Sequence, residues 1–108
     1  RLRPALELIH RHPDRPWTVA DLAATASMSR TAFAVNFKTT VGMSPLDYVM
    51  RWRVRSASRT LRSTDHTVAA VAGQFGFASE SSFIRTFKRV TGLSPARYRS
   101  GVPQPENV

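Results

Sequence analysis

The chain has 108 residues, enough for one domain or two very small ones sharing a helix, and 42% of them are hydrophobic, which argues against disorder. Sixteen basic residues against 7 acidic ones give a net charge of +9, an excess that favours an anionic partner, either nucleic acid or a negatively charged membrane surface. There are no cysteines, so disulfides, thiolate metal sites and cysteine catalysis are excluded and a reducing cytosol is compatible.

Fourteen of the 16 basic residues are Arg, the side chain that binds phosphate and guanine bidentately. A GC-rich genome is a second source of such a bias. No apolar run approaches the roughly 20 residues of a membrane span, and no signal-peptide pattern is present. The first residues, Arg1-Leu2-Arg3, lack a starting Met, which leads us to expect a piece of a longer protein.

Residues 4 to 11 form the first predicted helix. Pro4 suits its first position, and Leu6 and Ile9, with Ala5, supply an apolar stripe. His12-Pro13-Asp14-Arg15-Pro16 ends it in a rigid turn. Thr18 opens the second helix with Asp21 in a capping-box relation, and Val19, Leu22 and Ala23 form its inner face. After Ser27-Met28, Ser29 caps a third helix to about Val41, closed by Gly42.

Ser44-Pro45 starts a long helix to about Arg62, about 27 Å at 1.5 Å per residue. Leu46, Met50, Val54, Ala57 and Leu61 form its expected inner stripe, and Arg51, Arg55, Arg59 and Arg62 the opposite one. That Arg stripe is either a phosphate rail or an ordinary solvated face. Arg53 falls on the apolar side, where burial demands a carboxylate or carbonyl partner. Thr67 opens the next helix, with Val68, Val71 and Ala72 inward, ending near Gln74.

Gly76-Phe77-Ala78 leads to Ser79, the cap of a helix closed by Gly92. Phe83 and Phe87, four apart, share one face, while Ser81, Arg85, Lys88 and Arg89 share the other. One side is therefore anchored in a core and the other offers hydroxyls and cations to a partner. Ser94-Pro95 starts a final short helix carrying Tyr98, and residues 102–108 are expected to form a flexible tail.

An internal repeat organises the chain. Thr18, Val19, Ala20 and Ala23 recur 49 residues later as Thr67, Val68, Ala69 and Ala72. From Ser29 the offset is 50: Ser29, Phe33, Phe37, Lys38, Gly42, Ser44, Pro45 and Tyr48 return as Ser79, Phe83, Phe87, Lys88, Gly92, Ser94, Pro95 and Tyr98. The extra residue, Ala78, falls in the turn, where an insertion disturbs least. Each copy is a short helix, a turn and a second helix with a basic outer face. That is the helix-turn-helix pattern, an ordinary helical hairpin being the alternative. Ala23 and Ala72 are small where two helices should approach, and Met28 and Phe77 plug the turns.

The sequence resembles the DNA-binding domain of the AraC/XylS family of bacterial transcription regulators. The resemblance rests on Ser29-Arg30-Thr31-Ala32-Phe33, Phe37-Lys38, Val41-Gly42-Met43-Ser44-Pro45, Tyr48, Arg53, Ala57 and Leu61. Gly76-Phe77, Ser79, Phe83, Arg85, Phe87-Lys88, Gly92-Leu93-Ser94-Pro95 and Tyr98-Arg99 continue it. It implies an all-α fold of seven helices in one domain over residues 1–101, with two helix-turn-helix subdomains (about 4–44 and 67–100) joined by a long central helix (about 45–62). The helices at about 29–41 and 79–91 would enter successive major-groove segments of double-stranded DNA.

By that resemblance, Thr31, Ala34 and Val35 hold base-reading positions in the first unit, and Ser81, Ile84 and Arg85, with Glu80 and Ser82 beside them, in the second. Many relatives carry Arg at Val35, and Asn36 stands where an apolar residue is usual. Val35 can touch a thymine methyl but cannot donate to guanine, so the first unit either discriminates weakly or reads an A·T-rich segment. Arg85 suits a bidentate guanine contact, its alternatives being a phosphate contact or an ion pair with Glu80. Glu80 can accept from a cytosine amino group or simply favour the helix N-terminus. Thr18, Ser29, Arg30, Lys38, Thr67, Ser79, Lys88 and Arg89 are the expected phosphate contacts.

Trp17 and Trp52 read as packing residues. His10, His12 and His66 are too few and wrongly spaced for a metal site, and no nucleophile motif, paired carboxylates or phosphate-binding Gly loop is present. No cofactor, no metal and no enzymatic activity are expected. Some DNA-repair alkyl-transfer proteins carry a similar domain beside catalytic cysteines, but this chain has none. Double-stranded DNA is the expected partner, with a companion effector-binding or dimerisation domain elsewhere in the protein and a cytoplasmic, nucleoid-associated location. The alternative is a basic adaptor with mainly non-specific DNA affinity that contacts RNA polymerase. A membrane partner fits poorly, because the core needs the apolar face of the long helix.

Overall fold

Six of the helix starts expected from Ser and Thr are formed by one device. In the computed structural model, the hydroxyl oxygens of Thr18, Ser29, Ser44, Thr67, Ser79 and Ser94 each accept from the backbone N–H three residues on, at 3.0 to 3.3 Å. Each satisfies one of the donors that a helix start leaves without a partner. At Thr18 the capping box is complete, because the Asp21 carboxylate accepts from the Thr18 N–H at 3.2 Å. The structure describes residues 1–101, so the expected tail over 102–108 lies outside the described residues.

Among the described residues there are seven α-helices and no strand: α1 (Arg3–Arg11), α2 (Val19–Thr25), α3 (Arg30–Val41), α4 (Pro45–Ser63), α5 (Val68–Gln74), α6 (Glu80–Thr91) and α7 (Pro95–Ser100). Gly42 and Gly92 end α3 and α6 in the left-handed conformation, at φ 93° and 85°. α1 starts one residue before the expected position, which leaves Pro4 second in the helix. Its missing N–H is still one that a first turn does not use.

The chain forms two compact units, Arg1–Trp52 and Arg53–Val108, and the boundary falls inside α4. In the first unit Leu2, Ala5, Ile9, Leu22, Ala23, Phe33, Phe37 and Val49 form the core. Leu2, the residue that precedes α1, joins Ala5 and Ile9 in this core in place of the expected Leu6, which packs partly buried against it. In the second unit Val54, Ala57, Leu61, Val71, Ala72, Phe77, Phe83 and Phe87 are buried. Val19 and Val68, expected on inner faces, are half-buried.

The inner stripe of α4 differs from expectation. Pro45, Val49, Arg53, Ala57 and Leu61 are buried, together with Val54, whereas Leu46 is 46% exposed and Met50 half-buried. The buried residues step by four, and such a row winds around a helix of 3.6 residues per turn. Arg53 is buried as the pattern required, and among the described residues no buried side-chain nitrogen or oxygen lacks a hydrogen-bond partner.

The two helix-turn-helix turns repeat in atomic detail. The Met28 N–H donates to the Ala23 carbonyl at 2.9 Å, and the Phe77 N–H to the Ala72 carbonyl at 3.0 Å. Ala23 and Ala72 are both buried. Before each plug one residue is left-handed: Ser27 at φ 58° and Gly76 at φ 82°. An L side chain costs about 1–2 kcal/mol there, so the first turn carries strain that the second avoids. Replacing Gly76 with Ala should lower stability by about 1 kcal/mol or more, whereas Ser27→Gly should change it by less than about 0.5 kcal/mol, the relief of strain offsetting the added freedom of the unfolded chain. Chemical denaturation of both variants checks the contrast.

Candidate nucleic-acid interface

What positions the outer face of α3 is the burial of its inner face. Phe33 and Phe37 have no exposed surface, and their ring centroids lie 5.5 Å apart. Phe37 meets the edge of Tyr48 at 5.5 Å and 73°. In the second unit Phe83 and Phe87 repeat the 5.5 Å pair, Phe87 meets Tyr98 at 5.3 Å and 80°, and Phe77 packs 4.9 Å from Phe83. Edge-to-face aromatic contacts of this kind add about 0.5–1.5 kcal/mol beyond area burial. They also fix the rotation of each helix about its axis.

With the phenylalanines held inward, helical spacing turns Thr31, Val35 and Lys38 outward on α3, and all three are exposed. On α6 the corresponding Ser81, Arg85 and Lys88 are exposed, with Arg89 beside them. Ala34, Ser82 and Ile84 are half-buried, whereas Arg30 and Glu80 are exposed at the helix starts. Among the described residues no ion pair joins Glu80 to Arg85. Five residues apart, they stand roughly 140° apart around the helix and off its ion-pair spacings.

Thr18, Ser29, Thr67 and Ser79 are exposed, and each spends an oxygen lone pair on its cap. The hydroxyl hydrogen is left to donate, so capping and a phosphate contact are compatible. Asn36, which stands where an apolar residue was expected, is exposed, and its amide donates to the Ala32 carbonyl at 2.8 Å.

Several cations are used inside the protein. The Arg62 guanidinium lies 4.6 Å from the centroid of the Tyr98 ring, and Arg55 also has a partner within the chain. The expected row of Arg51, Arg55, Arg59 and Arg62 is exposed but is not a uniform rail of free charges. Arg99 donates to the Leu61 carbonyl at 2.9 Å and to the Thr64 carbonyl at 3.4 Å, holding α7 to the end of α4. In the first unit the His10 ring lies 4.1 Å from that of Trp52, and its Nε2 lies 2.6 Å from the Tyr48 hydroxyl. Its spacing in the sequence marks His10 only as a poor metal ligand, because contacts with side chains this far along the chain leave no local signal. Trp17 donates to the His12 carbonyl at 2.8 Å, consistent with a packing role.

Among the described residues no group of three or more His, Cys, Asp or Glu side chains could hold a metal, and no helix is long and apolar enough to cross a membrane. Two short-helix, turn, long-helix units with capped, aromatic-anchored second helices and polar outer faces define the class: a helix-turn-helix domain of the DNA-binding kind.

A family model described as a helix-turn-helix domain matches residues 22–101. A Streptomyces lividans protein described as an AraC-like transcription regulator is 48% identical over 101 residues, covering 94% of this chain and 33% of the relative. The HTH-type transcriptional regulator AlkR of Acinetobacter baylyi is 39% identical over 98 residues, covering 91% of this chain and 32% of that one. The DNA-binding domain of AdpA, solved in complex with a target DNA, has a TM-score of 0.87 and 36% identity, over 93% of this chain and 90% of that one.

The chain belongs to this helix-turn-helix family, in its AraC type, which is a DNA-binding domain of transcription regulators and not an enzyme. It spans about a third of the length of the curated relatives it matches.

The cap at Ser79 gives a direct check on how α6 is held. Ser79→Ala should cost about 1 kcal/mol of stability, and Ser79→Gly only a few tenths. Urea denaturation followed by circular dichroism distinguishes the two.

Proposed function

We propose that this domain binds double-stranded DNA sequence-specifically, with α3 and α6 each lying in a major groove and together reading a bipartite operator. The observation that carries this reading is the exposed Ser81, Arg85 and Lys88 stripe on a helix whose opposite side is sealed by Phe83 and Phe87, in a chain of net charge +9. Arg85 pairs with a guanine, with Glu80, Ser81 and Ser82 beside it, and Thr31, Ala34 and Val35 read in the first unit. Arg30, Lys38, Lys88, Arg89 and the hydroxyls of Thr18, Ser29, Thr67 and Ser79 hold phosphates, setting orientation without carrying sequence information. The AdpA domain's complex with a target DNA supports the assignment.

The wider protein is part of the same proposal. Relatives about three times as long support a companion effector-binding or dimerisation domain. Their naming as transcription regulators supports a bacterial regulator that works at the chromosome in the cytoplasm, where contact with RNA polymerase belongs.

Selection from a random duplex pool, followed by binding titrations at several salt concentrations, tests the reading. Arg85→Ala should lower discrimination at one base pair by about 5- to 150-fold, the equivalent of about 1–3 kcal/mol. Lys88→Ala should weaken all sequences alike and reduce the slope of log K against log salt by about 0.9. Even loss across all sequences on removing Arg85 would make it a phosphate contact instead.

A further inference from the structure

Val35 is 60% exposed, and with Leu46 at 46% it is one of two exposed large hydrophobic side chains among the described residues. It lies two residues after Phe33 and two before Phe37, as Arg85 lies between Phe83 and Phe87, and both phenylalanine pairs are fully buried. The Ser29 and Ser79 hydroxyl caps and the left-handed Gly42 and Gly92 bound the two helices at matching positions. Each unit therefore presents residue 35 or 85 at the same place on its own outer face. In the second unit that place carries a guanidinium, and in the first it carries two methyl groups.

Resting on the DNA-binding reading above, we infer that the first unit selects its bases by methyl contact, with Val35 as the reader and the C5-methyl group of thymine as its target. Thymine alone among the four bases carries a methyl at the edge of the major groove. Ala34 ends at Cβ, and the Asn36 amide is already bonded to the Ala32 carbonyl at 2.8 Å. Thr31, one turn before, adds a methyl of its own. A valine in a helix holds one χ1 rotamer about nine times in ten, so its methyl groups are placed before binding and little rotamer freedom is lost on contact. Its exposed apolar surface leaves water when the groove closes over it. 5-Methylcytosine carries the same methyl at the same ring atom, so the first unit also responds to C5 methylation of cytosine.

The test is a selection from two random duplex pools, one containing thymine and the other uracil throughout, followed by titration of single substitutions in a selected duplex. One position should prefer thymine strongly in the first pool and lose that preference in the second, while the guanine preference assigned to Arg85 persists in both. At that position, thymine to uracil should weaken binding about fourfold, the equivalent of one methyl group, and Val35→Ala should abolish the difference. C5 methylation of a cytosine placed there should strengthen binding. Val35 is exposed, so its truncation removes no core packing, and retained guanine preference in Val35→Ala reports an intact fold. Equal affinity for thymine and uracil throughout the segment, an undiminished uracil effect in Val35→Ala, or no gain from cytosine methylation would overturn the inference while leaving the DNA-binding reading standing. Failure of both pools to enrich any segment would overturn the two together.

Discussion

Both α3 and α6 depend on two phenylalanines four residues apart that must leave water. On a helix they fall on one side, and their burial against the tyrosine of the following helix fixes the rotation of α3 and of α6. Once that angle is set, the residues offered outward are set too, because side chains on a helix cannot change face without breaking the core. Fully burying a single phenylalanine is worth about 1.5–3 kcal/mol, more than any one outward polar contact contributes to folding. The outer face is therefore free to vary in chemistry while the inner face is not.

The duplication makes that separation visible. Caps, left-handed glycines, aromatic pairs and the small alanines at the helix crossings recur between the units at offsets of 49 and 50. The outward residues diverge, with Val35 answering Arg85 and Ala34 answering Ile84. The turn differs also, since Ser27 occupies a left-handed position that Gly76 fills without strain. One scaffold, repeated, thus carries two chemically unlike outer faces, one with methyl groups and one with a cation.

Charge follows a similar division. A net charge of +9 draws the domain towards a polyanion, but the cations are not equivalent. Arg53 is buried, Arg99 closes carbonyls at the end of α4, and Arg62 lies over the Tyr98 ring. These serve the fold, where a guanidinium satisfies several acceptors or an aromatic face at once. Arg30, Lys38, Arg85, Lys88 and Arg89 are exposed on or beside the outer faces of α3 and α6, and these carry the proposed interface.

Much of this was legible in the amino-acid order. Helix starts followed from Ser and Thr before apolar runs, helix ends from glycine, the repeat from residue identities, and the outward stripe from helical spacing, because all are short-range rules of backbone and side chain. The core face of α4 was not, since Leu46 and Val49 are equally apolar and only the elements packed against the helix decide which turns inward. Nor were the partners of Arg62 and Arg99, the contact of His10 with Tyr48 and Trp52, or the diversion of the Asn36 amide onto the backbone. The sequence by itself determined two capped, amphipathic helix-turn-helix units and which residues they offer outward. Tertiary structure decided which cations are committed to the fold, because pairing between residues far apart in the chain depends on packing that no local pattern encodes.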